Sequence, residues 1–213
     1  MSGLACEHNK INDVSKDPKL VLWFAFGINL FMFFVEQVYG WIAESRALLG
    51  DSVDMLGDSG FYLITILAIG KTPIFGARAA FVKGIFMSFF TLVALVSIVY
   101  QFYDPKIPEA EIIGFVGVLA LLANLICAAV LMGFRDKNIN MKSMWICTRN
   151  DVLANIGVLI AGAGVALTSS PWPDLIIGGV IGLLIMKSSI QILKESKKEI
   201  KRLHELPSVF KSF

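Results

Sequence analysis

Arg46-Ala-Leu-Leu-Gly-Asp51-Ser-Val-Asp54-Met-Leu-Gly-Asp58 is the stretch on which the reading of this chain turns. It places three carboxylates within eight residues of a segment otherwise apolar enough to be a membrane helix. A charge near the middle of a bilayer helix costs about 2.5–3.5 kcal/mol, and a Leu or Ile returns only about 0.3–0.6. Three acids are therefore tolerated only where they face a wet cavity or a cation. Asp54 and Asp58 are four apart and project from one helix face, one turn from each other. Two carboxylates so close repel, and a divalent cation or a shared proton is the natural remedy. Asp51 alone could be a helix-end carboxylate reaching for the interface.

The rest of the chain supports a membrane reading. Of its 213 residues, 56% are apolar and 17% charged, too few polar groups to coat a soluble domain of this size. The apolar residues fall in six blocks, at about Leu20–Ile42, Gly50–Gly70, Ala77–Tyr103, Ile112–Phe134, Ser143–Leu167 and Leu175–Leu193. Each is near the ~20 residues that span about 30 Å of hydrocarbon. Continuous apolar runs, rather than alternation, select helices over a barrel. The expected fold is all-α, with six transmembrane helices.

Lys and Arg set the expected orientation. Sixteen fall on one side: Lys10, Lys16 and Lys19, then Lys71, Arg78 and Lys83, then Arg135, Lys137 and Lys142, and seven from Lys187 to Lys211. The opposite side holds Arg46 and Lys106 among acidic residues. The positive-inside rule then puts both termini in the cytoplasm. The domain plan is a polar N-terminal tail (1–19), a six-helix membrane domain (20–193) and a basic tail (194–213), the last read as an anchor on anionic lipid. The first nineteen residues lack an apolar run before a cleavage site, which predicts no signal peptide. Cys6, Cys127 and Cys147, an odd count with two inside spans, do not suggest a disulfide framework.

A second constellation opens span five: Trp145-Ile-Cys147-Thr-Arg-Asn-Asp151-Val-Leu-Ala-Asn155-Ile-Gly157. Cys147 and Asp151 are again four apart. A thiol and a carboxylate on one helix, facing two carboxylates on another, would supply four donors suited to Zn²⁺ or Cd²⁺. A single Cys near a helix end is otherwise a small buried hydrophobe.

With both constellations in view, the chain from about Asn29 to Leu193 resembles the cation diffusion facilitator family of divalent-metal exporters. Asn29, Glu36, Gly40 and the stretch from Ser45 to Asp58 match the family's N…E…G…S-x-A-L-L-x-D-x-x-(H/D)-M-L-x-D pattern. Cys147-x-x-x-Asp151 followed by Gly157-Val-Leu-Ile-Ala matches H-x-x-x-D-x-x-x-x-x-G-V-L-I-A, with Cys in place of the usual His. The resemblance implies that Asp54, Asp58, Cys147 and Asp151 hold the transported metal, with Asp51 outside that set but beside it. It also implies a short subgroup without the family's cytoplasmic C-terminal domain, hence no metal-sensing tail, and leaves homodimerisation open. Asn138-Ile-Asn140-Met-Lys-Ser before span five and Trp172-Pro-Asp174 before span six fit that subgroup.

Several other residues invite a role. Glu36 and Asn29, seven apart in span one, are read as a pair lining the ion path, against a packing hydrogen bond as the alternative. Asn124 and Asn155 divide between packing and the ion route. Cys6 and His8 are metal-capable donors in a tail, and Arg149 could pair with an acid or snorkel. Trp23, Trp41, Tyr103, Trp145 and Trp172 fit interfacial belts.

The expected function is export of a divalent transition metal from the cell, across the inner membrane. Zn²⁺ stands first, with Cd, Co, Fe and Mn as alternatives, and inward proton movement is the expected drive. The metal is substrate rather than prosthetic group, no enzyme activity is expected, and the partners are metal ion, protons and lipid rather than nucleic acid. An intramembrane aspartyl protease needs its two Asp residues on different helices, one in a Gly-x-Gly-Asp motif; here Gly57-Asp58 has Met at position 55 and the acidic pair lies on one helix. Two alternatives remain: a proton-coupled exporter of organic cations that uses Glu36 within an aromatic cage, and a non-transporting metal-binding scaffold, which only flux measurements separate from a transporter.

Overall fold

A computed structural model describes residues 18–68, 72–134 and 139–205. It is built of helices throughout these residues: α1 (Pro18–Ile42), α2 (Arg46–Ala68), α3 (Pro73–Tyr103), α4 (Ala110–Met132), α5 (Ile139–Thr168) and α6 (Trp172–Glu205). Five of the six are long and apolar enough to cross a membrane. The exception is α2, whose Arg46, Asp51, Asp54 and Asp58 offset its apolar residues. At about 1.5 Å per residue its 23 residues are still long enough to cross. The expected all-α membrane fold with six helices is therefore the observed one.

Packing explains how α2 survives in that setting. It contacts α1, α3, α5 and α6, while α1 also meets α4 and α4 meets α5. A ring of α1, α2, α5 and α4 results, with the paired α3 and α6 laid against it. The first turns of α2 are buried without a break from Ser45 to Val53. Large apolar side chains face outward on the surrounding helices, such as Phe31, Phe115, Leu153 and Leu183. Lipid rather than water suits such a surface. Trp23, Trp41, Tyr103 and Trp172 are likewise exposed near helix ends.

The start of α2 is capped by its own residue and by a distant one. Ser45 Oγ accepts the Leu48 N–H (3.2 Å) and donates to Asp174 Oδ1 (2.5 Å). The Asp174 carboxylate also accepts the backbone N–H groups of Arg46 (2.5 Å) and Ala47 (3.3 Å). The first three N–H groups of α2, orphaned by helix geometry, are thus all bonded. Gly178 makes the approach of α6 possible, because a Cβ there would lie 2.6 Å from the Arg46 carbonyl carbon and 2.8 Å from Ala47 N. Around the same corner, Arg46 Nε donates to Gln101 Oε1, and Gln101 Nε2 donates to the Lys106 carbonyl. Glu44, at a positive φ of 53°, pairs with Arg46 and, at 2.8 Å, with Lys106. That hydrogen bond and charge hold the Lys106 ammonium pKa above its ordinary value.

Helix α6 runs on without interruption to Glu205, so most of the stretch read as a basic tail continues the last span. Beyond the apolar part, its surface carries an Arg202–Glu199 pair at 2.6 Å and an exposed His204. Cys6 and His8, and Arg135 and Lys137 of the loop before α5, lie outside the described residues.

Candidate functional site

Helices α1, α2, α4 and α5 each send a polar side chain into one pocket between them. It is lined by Asn29, Asp51, Asp54, Met55, Asp58, Asn124 and Asp151. Asp54 and Asp58 project together because they are one turn apart on α2. Asp151 reaches them from α5 and hydrogen-bonds with both. Carboxyl groups bond to each other only through a shared proton. A divalent cation can take that place, since it is drawn by the same oxygens. Among the described residues no group of three or more His, Cys, Asp or Glu side chains is arranged to hold a metal ion; Asp151 is instead bonded to Asp54 and to Asp58.

Three of the four expected metal-holding residues, Asp54, Asp58 and Asp151, are therefore together. The fourth, Cys147, belongs to α5 one turn before Asp151. Its side chain lies outside the described residues.

Asp51 is not an interfacial carboxylate. It is 1% exposed and lines the pocket. Its Oδ2 accepts a 2.5 Å hydrogen bond from Asn155 Nδ2, and Asn155 Oδ1 accepts one from Asn124 Nδ2 at 3.1 Å. This chain of donors ties α4 and α5 to α2. Asn155 thus acts through Asp51, while Asn124 reaches the pocket itself.

The α1 pair separates. Asn29 lines the pocket and donates to the Ala25 carbonyl at 2.9 Å and towards Cys127 Sγ at 3.7 Å. Glu36 is fully buried yet absent from the lining. Seven residues return the helix to almost the same face but advance it about 10 Å along its axis, so a shared face does not mean a shared cavity. The carboxylates whose charge acts on Glu36 are Asp51 and Asp54.

Other neighbours of the site were not singled out by sequence. Tyr62 Oη and Thr148 Oγ1 are 2.7 Å apart, which fixes α2 to α5 one turn below Asp58. Lys83 of α3 exerts its charge on Asp54 and Asp58. Its ammonium stands 4.8 Å from the Phe61 ring centroid. A cation inside an apolar run is the signal that could have found Lys83, which in the sequence counts, like Arg78, only towards orientation. Arg149 is exposed, with its guanidinium over Trp145 at 5.5 Å.

A family model for the cation efflux transmembrane domain matches residues 22–200. The zinc transporter ZitB of Yersinia pestis is 29% identical over 192 residues, covering 84% of this chain and 62% of that protein. The cadmium, cobalt and zinc/H(+)-K(+) antiporter of Bacillus subtilis is 23% identical over 178 residues, covering 76% of this chain and 57% of its own. The metal cation efflux system protein CzcD of Cupriavidus metallidurans is 28% identical over 179 residues, covering 75% and 57% respectively. This chain thus spans about three fifths of the length of these relatives.

Proposed function

Because this chain belongs to the cation efflux family, the cation diffusion facilitators, we propose that it exports a divalent transition metal across the inner membrane, with Zn²⁺ as the first substrate. The observation that carries the proposal is the meeting of Asp54, Asp58 and Asp151 from two helices in one pocket. Zn²⁺ accepts carboxylate and thiolate donors, and Cys147 one turn before Asp151 would add the sulfur. ZitB and the Bacillus antiporter carry zinc in their names, which supports the same cargo.

Coupling follows from competition between metal and proton. A carboxylate or thiolate must lose its proton to bind the cation, so binding releases protons and protonation releases metal. Lowering the pH therefore weakens metal binding. If the pocket opens in turn to a neutral cytosol and a more acidic exterior, metal leaves where protons enter. Both termini are placed in the cytoplasm on the strength of the Lys and Arg distribution. The organic-cation reading rests on Glu36, which lies outside the lining of the pocket where the aspartates meet.

Proteoliposomes containing a zinc-sensitive dye and given a pH gradient test this function. Zn²⁺ should move against the proton gradient and stop when an uncoupler collapses it. A signal no larger than that of empty vesicles would remove the function.

A further inference from the structure

Two amides of the pocket are anchored in the same way. Asn29 of α1 and Asn124 of α4 both line it, and each is 1% exposed. Asn29 Nδ2 donates to the Ala25 carbonyl at 2.9 Å and towards Cys127 Sγ at 3.7 Å. A backbone carbonyl only accepts, which fixes the amide nitrogen on that side and the oxygen away from it. Asn124 Nδ2 is likewise engaged, with Asn155 Oδ1 at 3.1 Å, and Asn155 Nδ2 donates in turn to Asp51 Oδ2. Both side-chain oxygens, Asn29 Oδ1 and Asn124 Oδ1, are left buried without a hydrogen-bond partner, and so is Asp58 Oδ2. Buried polar atoms are costly to leave so. Unbonded acceptors from α1, α2 and α4 thus line a single pocket. A carboxyl proton would serve one of them, and the protons that the acids share are already placed between Asp151 and its partners Asp54 and Asp58. One divalent cation draws on carboxylate and carbonyl oxygens together.

We propose that the side-chain carbonyl oxygens of Asn29 and Asn124 are ligands of the transported cation, beside Asp54, Asp58 and Asp151. The inference rests on the transport function above and extends it to the range of ions the site accepts. Oxygen then comes from every helix of the ring, α1, α2, α4 and α5. With these amides the donors exceed the four that suit tetrahedral Zn²⁺. A pair of neutral oxygens favours ions that take six oxygen-rich ligands, Mn²⁺ among them, and adds no charge to the pocket. Their effect is therefore on selectivity. Ala25 and Cys127 act as positioning groups for Asn29, and Asn155 does so for Asn124.

The test measures Mn²⁺ and Zn²⁺ affinity of the full chain in lipid nanodiscs by titration calorimetry at several pH values. Asn29→Leu and Asn124→Leu, close to isosteric, should each lower Mn²⁺ affinity about tenfold or more, the loss typical even of a residue that only supports a ligand. Zn²⁺ affinity should fall less, so that the Mn/Zn ratio drops. Asn29→Asp keeps an oxygen in place and should hold that ratio at or above wild type. Asn124→Leu also strips Asn155 of a donor, so if it does not fold, the two Asn29 variants decide. An unchanged Mn/Zn ratio in Asn29→Leu overturns the inference, because a packing role does not discriminate between ions. A rise in its metal affinity below neutral pH overturns it too, since that is what losing the acceptor of a carboxyl proton would give. Asp58→Ala should lose both ions. If it loses them while Asn29→Leu keeps the ratio, the amide ligands fall and the transport site stands. If it binds both as wild type does, the transport site falls as well.

Discussion

Asp58 and Asp151 stand 93 positions apart in the sequence and share a hydrogen bond in the fold. Each contributes charge that a bound cation would neutralise, and no neutral residue replaces that. Asp58→Ala and Asp151→Ala should therefore abolish transport while membrane insertion, followed by membrane fractionation, is unchanged. Asp51→Asn keeps an acceptor for Asn155 and should be milder, losing about 10–100-fold in metal affinity as outer-sphere partners do. Equal damage from Asp51→Asn and Asp58→Ala would shift the metal-holding set by one turn. Cys147 governs which metal is preferred. Cys147→His should retain Zn²⁺ transport with Cd²⁺ weakened relative to it, and Cys147→Asp should move preference towards Mn²⁺ or Fe²⁺. Unchanged Zn²⁺ affinity and Zn/Cd ratio in Cys147→Ala would return this residue to a packing role. The i,i+4 spacings made these candidates legible in sequence. Sequence did not reveal that Asp51 is buried and bonded to Asn155, because that depends on the rotation of α5 against α2.

The joint between α2 and α6 holds the end of α2 along which burial is unbroken. Asp174 bonds to the first turn of α2, and Gly178 lets the two backbones touch. Gly178→Ala would put a methyl against backbone atoms, which cannot swing away as a side chain can. It should destabilise the protein by about 1–3 kcal/mol, read as a lower midpoint of thermal unfolding in detergent. Gly179→Ala is the matched control, since nothing lies within 4 Å of a Cβ there. That substitution should leave the midpoint unchanged. The Trp172-Pro-Asp174 motif was visible as a feature of the approach to span six. That its acid caps a helix more than a hundred residues earlier was not, because an N-cap is normally sought beside its own helix.

At the scale of the whole molecule, a ring of four helices surrounds an acidic pocket and the α3–α6 pair braces it. Burial is unbroken from Ser45 to Val53, whereas Asp54 and Asp58 are half-buried, so the two ends of α2 differ in access. The loop carrying Lys106 closes over the capped end through Glu44 and Gln101. Under the proposed orientation this end faces outward. In intact cells, a Cys placed at position 106 should react with a membrane-impermeant maleimide added outside. Labelling of that position only after the cells are opened would invert the topology.

Sequence by itself determined the helical class, the number of helices and the identity of the acids that gather, because hydrocarbon thickness and the cost of buried charge act on each segment separately. Even the bounds differ mainly at the last helix, which stays regular past Leu193 to Glu205 because basic residues and regular i,i+3 pairing do not interrupt it. Tertiary structure alone decided which polar residues meet. Asn29 and Glu36 share a face of α1, yet one lines the pocket and the other is sealed beside Asp51. Lys83 and Asp174 became neighbours of α2 through helices far away in sequence. Periodicity gives the direction in which a side chain leaves its own helix; the depth and rotation of the helix opposite come from packing between them.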